Sequence, residues 1–206
     1  MTTLPANDTT FYIIRHGETA HNAAGRLQGH VDVALAERGR QQAAAAALVL
    51  KGRPVAQLYS SDLLRARQTA EIIGDQLGLP VQLEPRLREV NVGDWGNLTA
   101  AEIQAKHPEV LGQMRRDPEH TRYPGGESYG ELANRVMEAL TDLATAHAGQ
   151  TVAVVTHGGA LRAIMSRQLG YAWSQRDRFT FENCGVLQLV LAADGPRFIV
   201  PAPGLA

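Results

Sequence analysis

The stretch Phe11-Tyr12-Ile13-Ile14-Arg15-His16-Gly17-Glu18-Thr19 decides the fold. Four apolar residues, aromatic and β-branched, run without a break into Arg15-His16-Gly17. A run this short, bounded by turn-prone residues, reads as a buried strand. Its carboxyl end delivers a cation and an imidazole into a sharp turn, and Gly17 removes a Cβ that would crowd that turn. In open α/β sheets, ligands sit outside the carboxyl ends of strands. His16 is therefore a candidate nucleophile, with Arg15 holding an anion in front of it.

Two further junctions share this character. Val55 to Tyr59 reads as a short strand that runs into Ser60-Ser61-Asp62, all good helix N-cap residues, and a helix follows over Leu63 to Leu77. Thr151 to Thr156 reads as a buried strand followed by His157-Gly158-Gly159 and a helix over Ala160 to Leu169. Between these junctions the spacing predicts a polar loop over Thr19 to Asp32 and a helix from about Leu35 to Leu50. It also predicts a short strand at Val81 to Leu83 and an irregular segment from Arg86 to Leu98. Thr99-Ala100-Ala101-Glu102 and Ser128-Tyr129-Gly130-Glu131 are capping boxes. The first opens a helix that must stop near His107-Pro108, with a second short helix to Arg116 and a loop from Asp117 to Gly126. The second opens a helix to about His147 with Leu132, Val136, Leu140 and Leu143 on one stripe. Val186 to Leu191 and Arg197 to Val200 flank Asp194-Gly195, a hairpin signal. Strands and helices alternate, so the class is α/β with a mainly parallel sheet.

The chain has 206 residues, 44% hydrophobic and 20% charged, enough for one well-buried domain spanning 1–206. A formal net charge of -1 gives no overall field for nucleic acid or an acidic membrane. The single cysteine, Cys184, excludes a disulfide framework and reads as a buried structural thiol. Met1 to Thr10 has no signal-peptide pattern, and no stretch approaches the roughly 20 apolar residues of a membrane span. A cytoplasmic protein, monomer or homodimer, is the expectation.

In a parallel sheet the three junctions fall on one edge, which then holds two histidines and at least two arginines. That set suits phosphoryl transfer, where protein groups mainly position and neutralise charge on the equatorial oxygens. Arginine bonds two oxygens at once and stays charged. Histidine attacks phosphorus only when neutral, and nearby arginines favour that form. An alkoxide leaving group needs a general acid, for which Glu89 in Leu87-Arg88-Glu89-Val90 is the candidate.

These residues resemble the histidine phosphatase superfamily, the phosphoglycerate mutase-like proteins. The matching blocks occur in the family's order from about residue 11 to 190. They are Arg15-His16-Gly17-Glu18-Thr19, Asn22, Gln28-Gly29, Ser60 through Ala70, Leu87-Arg88-Glu89, Gly93-Asp94-Trp95, Pro124 through Ser128, and Thr156-His157-Gly158-Gly159. The resemblance implies a three-layer α/β/α sandwich, with residues about 99–130 as a lid over the site. It implies that His16 becomes a phosphohistidine and that Glu89 donates the proton. Arg15, Arg65 and His157 would bind the phosphoryl group, with Asn22, Gln28, Gly29 and Gly158 lining its pocket. It implies no metal and no cofactor, and a small-molecule phosphate monoester as substrate. The segment Glu89 to Trp95 resembles the phosphatase branch rather than the cofactor-dependent mutases, although Trp95-Gly96-Asn97 stands where that branch reads Trp-Glu-Gly.

Other polar residues have plainer readings. Arg67 reads as a structural ion-pair partner, and His21 and His30 as solvent-facing loop histidines whose spacing fits no familiar metal site. Arg115, Arg116, Arg122 and Tyr123 are candidates for contact with the far end of a substrate. The activity expected is metal-independent phosphomonoester hydrolysis. The rivals are phosphoglycerate mutase-type transfer and a catalytically silent module that binds a phosphorylated ligand.

Overall fold

The computed structural model describes residues 7–192 and the backbone of 195–199. Six strands form one sheet: β1 (Thr9–Arg15), β2 (Val55–Ser60), β3 (Val81–Leu83), β4 (Thr151–Thr156), β5 (Val186–Ala192) and β6 (Gly195–Ile199). Their order is β3-β2-β4-β1-β5-β6. The first four neighbours pair parallel, and β5 and β6 join antiparallel. Asp194 and Val200 of the expected hairpin lie outside the described residues.

The apolar run of β1 is explained by helices on both faces. Phe11 and Ile13 point to one side, with Val152, Val154, Leu187 and Leu189. That face is covered by α6 (Tyr129–Ala146) and α7 (Gly158–Leu169). Tyr12 and Ile14 point to the other side, with Leu58, Ala153 and Val155, under α2 (Glu37–Leu50) and α3 (Leu64–Leu77). The expected α6 stripe of Leu132, Val136, Leu140 and Leu143 is buried. The architecture is therefore the three-layer α/β/α sandwich.

Register aligns the three junctions. Arg15 lies opposite Thr156, and Ser60 lies opposite Val155. The His16 N–H then donates to the Thr156 carbonyl at 2.9 Å, and the Ser61 N–H to the Val155 carbonyl at 2.9 Å. After β1 the chain leaves toward α2 on one face, and after β4 toward α7 on the other. Neighbouring parallel strands whose chains diverge in this way open a crevice at their carboxyl ends.

Both capping boxes form, at the starts of α4 (Ala100–Lys106) and α6, and α5 (Pro108–Arg116) follows α4 as expected. Three expectations need correction. The polar loop contains a short helix, α1 (Ala20–Ala23), closed by a third box between Thr19 and Asn22. Ser60, Ser61 and Asp62 do not cap α3, whose N-cap is Leu63. Asp62 instead takes the Arg88 guanidinium, Nε to Oδ1 at 2.6 Å, and the Leu64 N–H is met by Asp32 Oδ1 at 2.8 Å. Finally, α7 begins at Gly158 rather than Ala160. At the second of its two opening glycines, a Cβ on Gly159 would displace the Glu89 carboxylate from where it sits.

Gly17 is needed for a related reason. It faces Gly39 in the first turn of α2, where a Cβ on either would run into the other segment's backbone, Gly39 O on one side and Glu18 O on the other. Gly39→Ala tests this contact with a sign. In an open helix that change stabilises by about 0.5–1 kcal/mol. Here the overpacked methyl should destabilise by about 1–3 kcal/mol in urea unfolding, and unchanged or higher stability would contradict the contact.

Candidate active site

At the end of β1, His16 is only 3% exposed. Its Nδ1 lies 2.8 Å from the Gly17 carbonyl oxygen. A carbonyl only accepts, so Nδ1 carries the proton and Nε2 keeps its lone pair. Arg65 Nε approaches that Nε2 at 3.3 Å. Burial first, and then the Arg65 cation, push the His16 pKa well below its usual value. The backbone is pinned as well. The Gly17 N–H donates to Thr69 Oγ1 at 3.0 Å, and Asn183 Nδ2 donates to the His16 carbonyl at 2.9 Å.

Arg65 opens α3 and is fully buried. Its Nη1 donates to the Val31 carbonyl at 3.0 Å and Nη2 to that of Gly29 at 2.8 Å. Burial lowers its pKa to about 10, so it stays a cation at neutral pH. Arg15 reaches across β5 to donate from Nη1 to the Phe181 carbonyl at 2.6 Å, while its buried Nε has no partner among the described residues.

His157 is fully buried, its ring centroid 5.1 Å from that of His16. Its Nε2 lies 2.8 Å from Ser61 Oγ. Ser61 Oγ also accepts the Leu63 N–H at 3.3 Å. The other ring nitrogen of His157, Nδ1, is buried without a partner among the described residues. Burial, with Arg65 and His16 beside it, holds His157 neutral too.

Glu89 stands half-buried above the amino end of α7. Its Oε1 accepts the Val90 N–H at 2.8 Å and its Oε2 the Gly159 N–H at 2.9 Å. Its own carbonyl accepts from His30 Nε2 at 2.8 Å and from Arg135 Nη2 at 2.7 Å. Arg135 also donates to the carbonyls of Arg86 and Arg88 and pairs with Glu127 at 2.6 Å.

Arg15, His16, Asn22, Gln28, Gly29, Arg65, Glu89 and Gly158 line one cavity of about 230 Å³. His157 lies behind His16 and outside that lining. Asn22 and Gln28 are both tied to Thr19: its hydroxyl donates to Asn22 Oδ1 at 3.0 Å and to Gln28 Oε1 at 3.0 Å. Of the outlying candidates, Tyr123 lines the cavity. Arg122 is turned to Glu131 and the Gly126 carbonyl, and Arg115 and Arg116 are exposed on α5. Arg67 pairs with Glu71 at 3.4 Å, as expected. Burial raises the Cys184 thiol pKa to about 12.

His21 and His30 are not free loop histidines. His21 Nε2 meets Asn97 Oδ1 at 2.7 Å, and His30 props the Glu89 carbonyl. The Trp95-Gly96-Asn97 departure is also accommodated. Asn97 takes a left-handed φ of 67°, a conformation that asparagine, like glycine, adopts readily. Trp95 stays buried, edge-on to Tyr123 at 5.1 Å. Sequence reasoning missed Arg135 and Glu127, which hold the Glu89 segment, and Arg162 and Tyr129, which line the cavity. Arg162 was findable as the basic residue one helical turn beyond Gly158.

Comparison with known proteins shows the family. Residues 11–201 match the family described as the histidine phosphatase superfamily (branch 1). A metal-independent phosphoserine phosphatase of Arabidopsis thaliana is 45% identical over 163 residues, 77% of this chain and 68% of that protein. A probable phosphoglycerate mutase of Erwinia tasmaniensis is 37% identical over 175 residues, 85% of this chain and 81% of that protein. The solved structure of a mycobacterial glucosyl-3-phosphoglycerate phosphatase with VO3 superposes with a TM-score of 0.80 at 34% identity, covering 95% of this chain and 98% of that one. A buried neutral histidine flanked by arginines, carried on this fold and matched along nearly the whole sequence, makes the chain a member of the histidine phosphatase superfamily, branch 1.

Proposed function

We propose that the protein is a metal-independent phosphomonoesterase that works through a phosphohistidine at His16 on a small phosphorylated metabolite. One observation carries the reading: the His16 Nε2 lone pair is presented to an arginine-lined cavity, with its proton parked on the far side of the ring. In the first step Nε2 attacks phosphorus while Glu89 gives its proton to the leaving oxygen. In the second, water attacks the phosphohistidine, Glu89 takes the water's proton, and His16 is freed. Arg15, Arg65 and His157 hold the equatorial oxygens. Asn22, Gln28, Gly29 and Gly158 complete the phosphate pocket.

The relatives named as phosphatases support hydrolysis, and the relative named as a probable mutase keeps isomerisation in view. We place the whole activity in one domain, with residues 99–130 as the lid, since Tyr123 of that segment lines the cavity. A cavity of about 230 Å³ suits a small metabolite. Among the described residues no helix is long and apolar enough to cross a membrane. We assign a cytoplasmic protein, monomer or homodimer.

Phosphate release in EDTA across a panel of monoesters, with His16→Ala alongside, tests the reaction class. Turnover by the wild type and none by the variant is expected. Conversion of 3-phosphoglycerate to its 2-isomer without phosphate release would give the mutase reading instead. Arg65→Ala should lower kcat by about 10²–10³-fold, the loss usual for a preorganised charge-stabilising donor, and a wild-type rate would remove Arg65 from the mechanism.

Glu89→Gln should lose more rate on alkyl than on aryl phosphates, because an aryl oxide barely needs protonating. Equal losses on both would argue against Glu89 as the acid. The tautomer is also directly measurable. An NMR titration of His16 should show neutral imidazole with the proton on Nδ1 as the pH falls from 8 to 6, since a lowered pKa keeps the neutral form below the usual value of about 6.5. An imidazolium midpoint at 6.5 would contradict the electrostatics described above.

A further inference from the structure

The cavity holds more positive charge than a phosphoryl group uses. Four arginines line it, Arg15, Arg26, Arg65 and Arg162, against one acid, Glu89. Arg26 is neutralised by Glu102 at 3.1 Å. Arg15, Arg65 and Arg162 have no carboxylate within ion-pairing distance among the described residues. When Glu89 is protonated to act as the acid, three cations face a dianionic phosphoryl group, and one positive charge is left over. That leftover lies with Arg162. Burial, then Arg65 and Arg15, depress the His16 pKa, whereas the charge of Arg162 acts on Arg15 and Tyr129.

Arg162 is also held for recognition. Its Nε donates to the Phe179 carbonyl at 3.1 Å, which fixes the plane of the guanidinium and leaves the Nη groups for another acceptor. Gly158 lies beside it: the point where a Cβ would stand is at ordinary van der Waals distance, 3.8 Å from Arg162 Nη1 and 3.6 Å from the unpartnered Arg15 Nε. Tyr123 and Tyr129 line the same cavity, with the Arg176 guanidinium 4.7 Å from the centre of the Tyr129 ring. Beside the phosphate ligands the cavity therefore offers a planar cation and two phenols, a setting for an anion rather than for an apolar or cationic group.

We propose that the substrate carries a carboxylate as well as its phosphate, and that Arg162 is the residue that selects it. The occupant is a small phosphorylated hydroxy acid or amino acid. A single leftover charge matches a monoanionic carboxylate better than a second dianionic phosphate. This inference rests on the phosphatase reading for its orientation, His16 and Arg65 at the phosphate and Arg162 at the carboxylate.

The test separates binding from turnover. Calorimetry on a His16→Ala background compares two matched pairs: 3-phosphoglycerate with glycerol 3-phosphate, and O-phosphoserine with O-phosphoethanolamine. The second member has a hydroxymethyl group in place of the carboxylate in the first pair, and a hydrogen in the second. The carboxylate member should bind at least about tenfold tighter, the worth of a hydrogen-bonded charge pair. Adding Arg162→Ala should collapse that ratio toward one, and Arg162→Lys should restore part of it. Equal binding within the pairs would overturn the proposal. So would an equal loss on both members in Arg162→Ala, which would make Arg162 a phosphate ligand or a structural residue. Phosphate release by the wild-type enzyme is followed in parallel. A carboxylate preference without turnover would sink the phosphatase reading and leave the Arg162 assignment standing. Turnover without the preference would do the reverse.

Discussion

The structure turns on a buried cation with no ion-paired carboxylate among the described residues. Arg65 is fully buried, and three of its five N–H groups meet two carbonyls and an imidazole nitrogen. Those bonds hold the guanidinium in place, but its charge sits in a poorly solvated place without a direct counter-ion. Such an arrangement is costly unless something anionic shares the site. Its consequences spread outward. Burial and then the cation keep both buried histidines neutral, and Arg65 Nε faces the His16 lone pair. The same guanidinium ties the Gly29–Val31 turn to α3, so the loop that carries Gln28 and Gly29 is fixed by the residue to which we assign the anion.

Backbone approaches of unusual closeness make this arrangement possible. Gly17 and Gly39 let the turn after β1 touch the first turn of α2, and Gly159 lets the Glu89 carboxylate seat on the amino end of α7. Glu89 is thereby presented by main-chain N–H groups on one side and steadied through its carbonyl by Arg135 and His30 on the other. An acid held in this way needs little reorganisation when a leaving group arrives, which is where preorganised sites gain their rate.

Much of this was legible in the sequence, for physical reasons. The β1 run, the capping boxes at Thr99 and Ser128, and the α6 stripe are local patterns, and local patterns survive folding. The three strand-to-helix junctions needed one further step, that parallel strands bring their carboxyl ends together, and the register of Arg15 with Thr156 and of Ser60 with Val155 supplies it. The misses are long-range. Asp62 looked like an N-cap because nothing nearby announces Arg88 as its partner, 26 residues on. The start of α7 was put two residues late because helix propensity penalises glycine, and the carboxylate that requires Gly159 lies 70 residues away in the chain. His30 reads as a solvent-facing loop residue and Arg135 carries no local signal, yet the fold places the Glu89 carbonyl between them.

The central claim is that phosphate passes through His16 Nε2. Rapid-quench trapping during turnover tests it most directly, with the quench held alkaline so that a phosphoramidate survives and the modified peptide then sequenced by mass spectrometry. The account predicts a transient phosphate on His16, formed and lost at rates consistent with turnover, and absent from His16→Ala. Phosphate on another residue, or full turnover with no covalent intermediate, would contradict it.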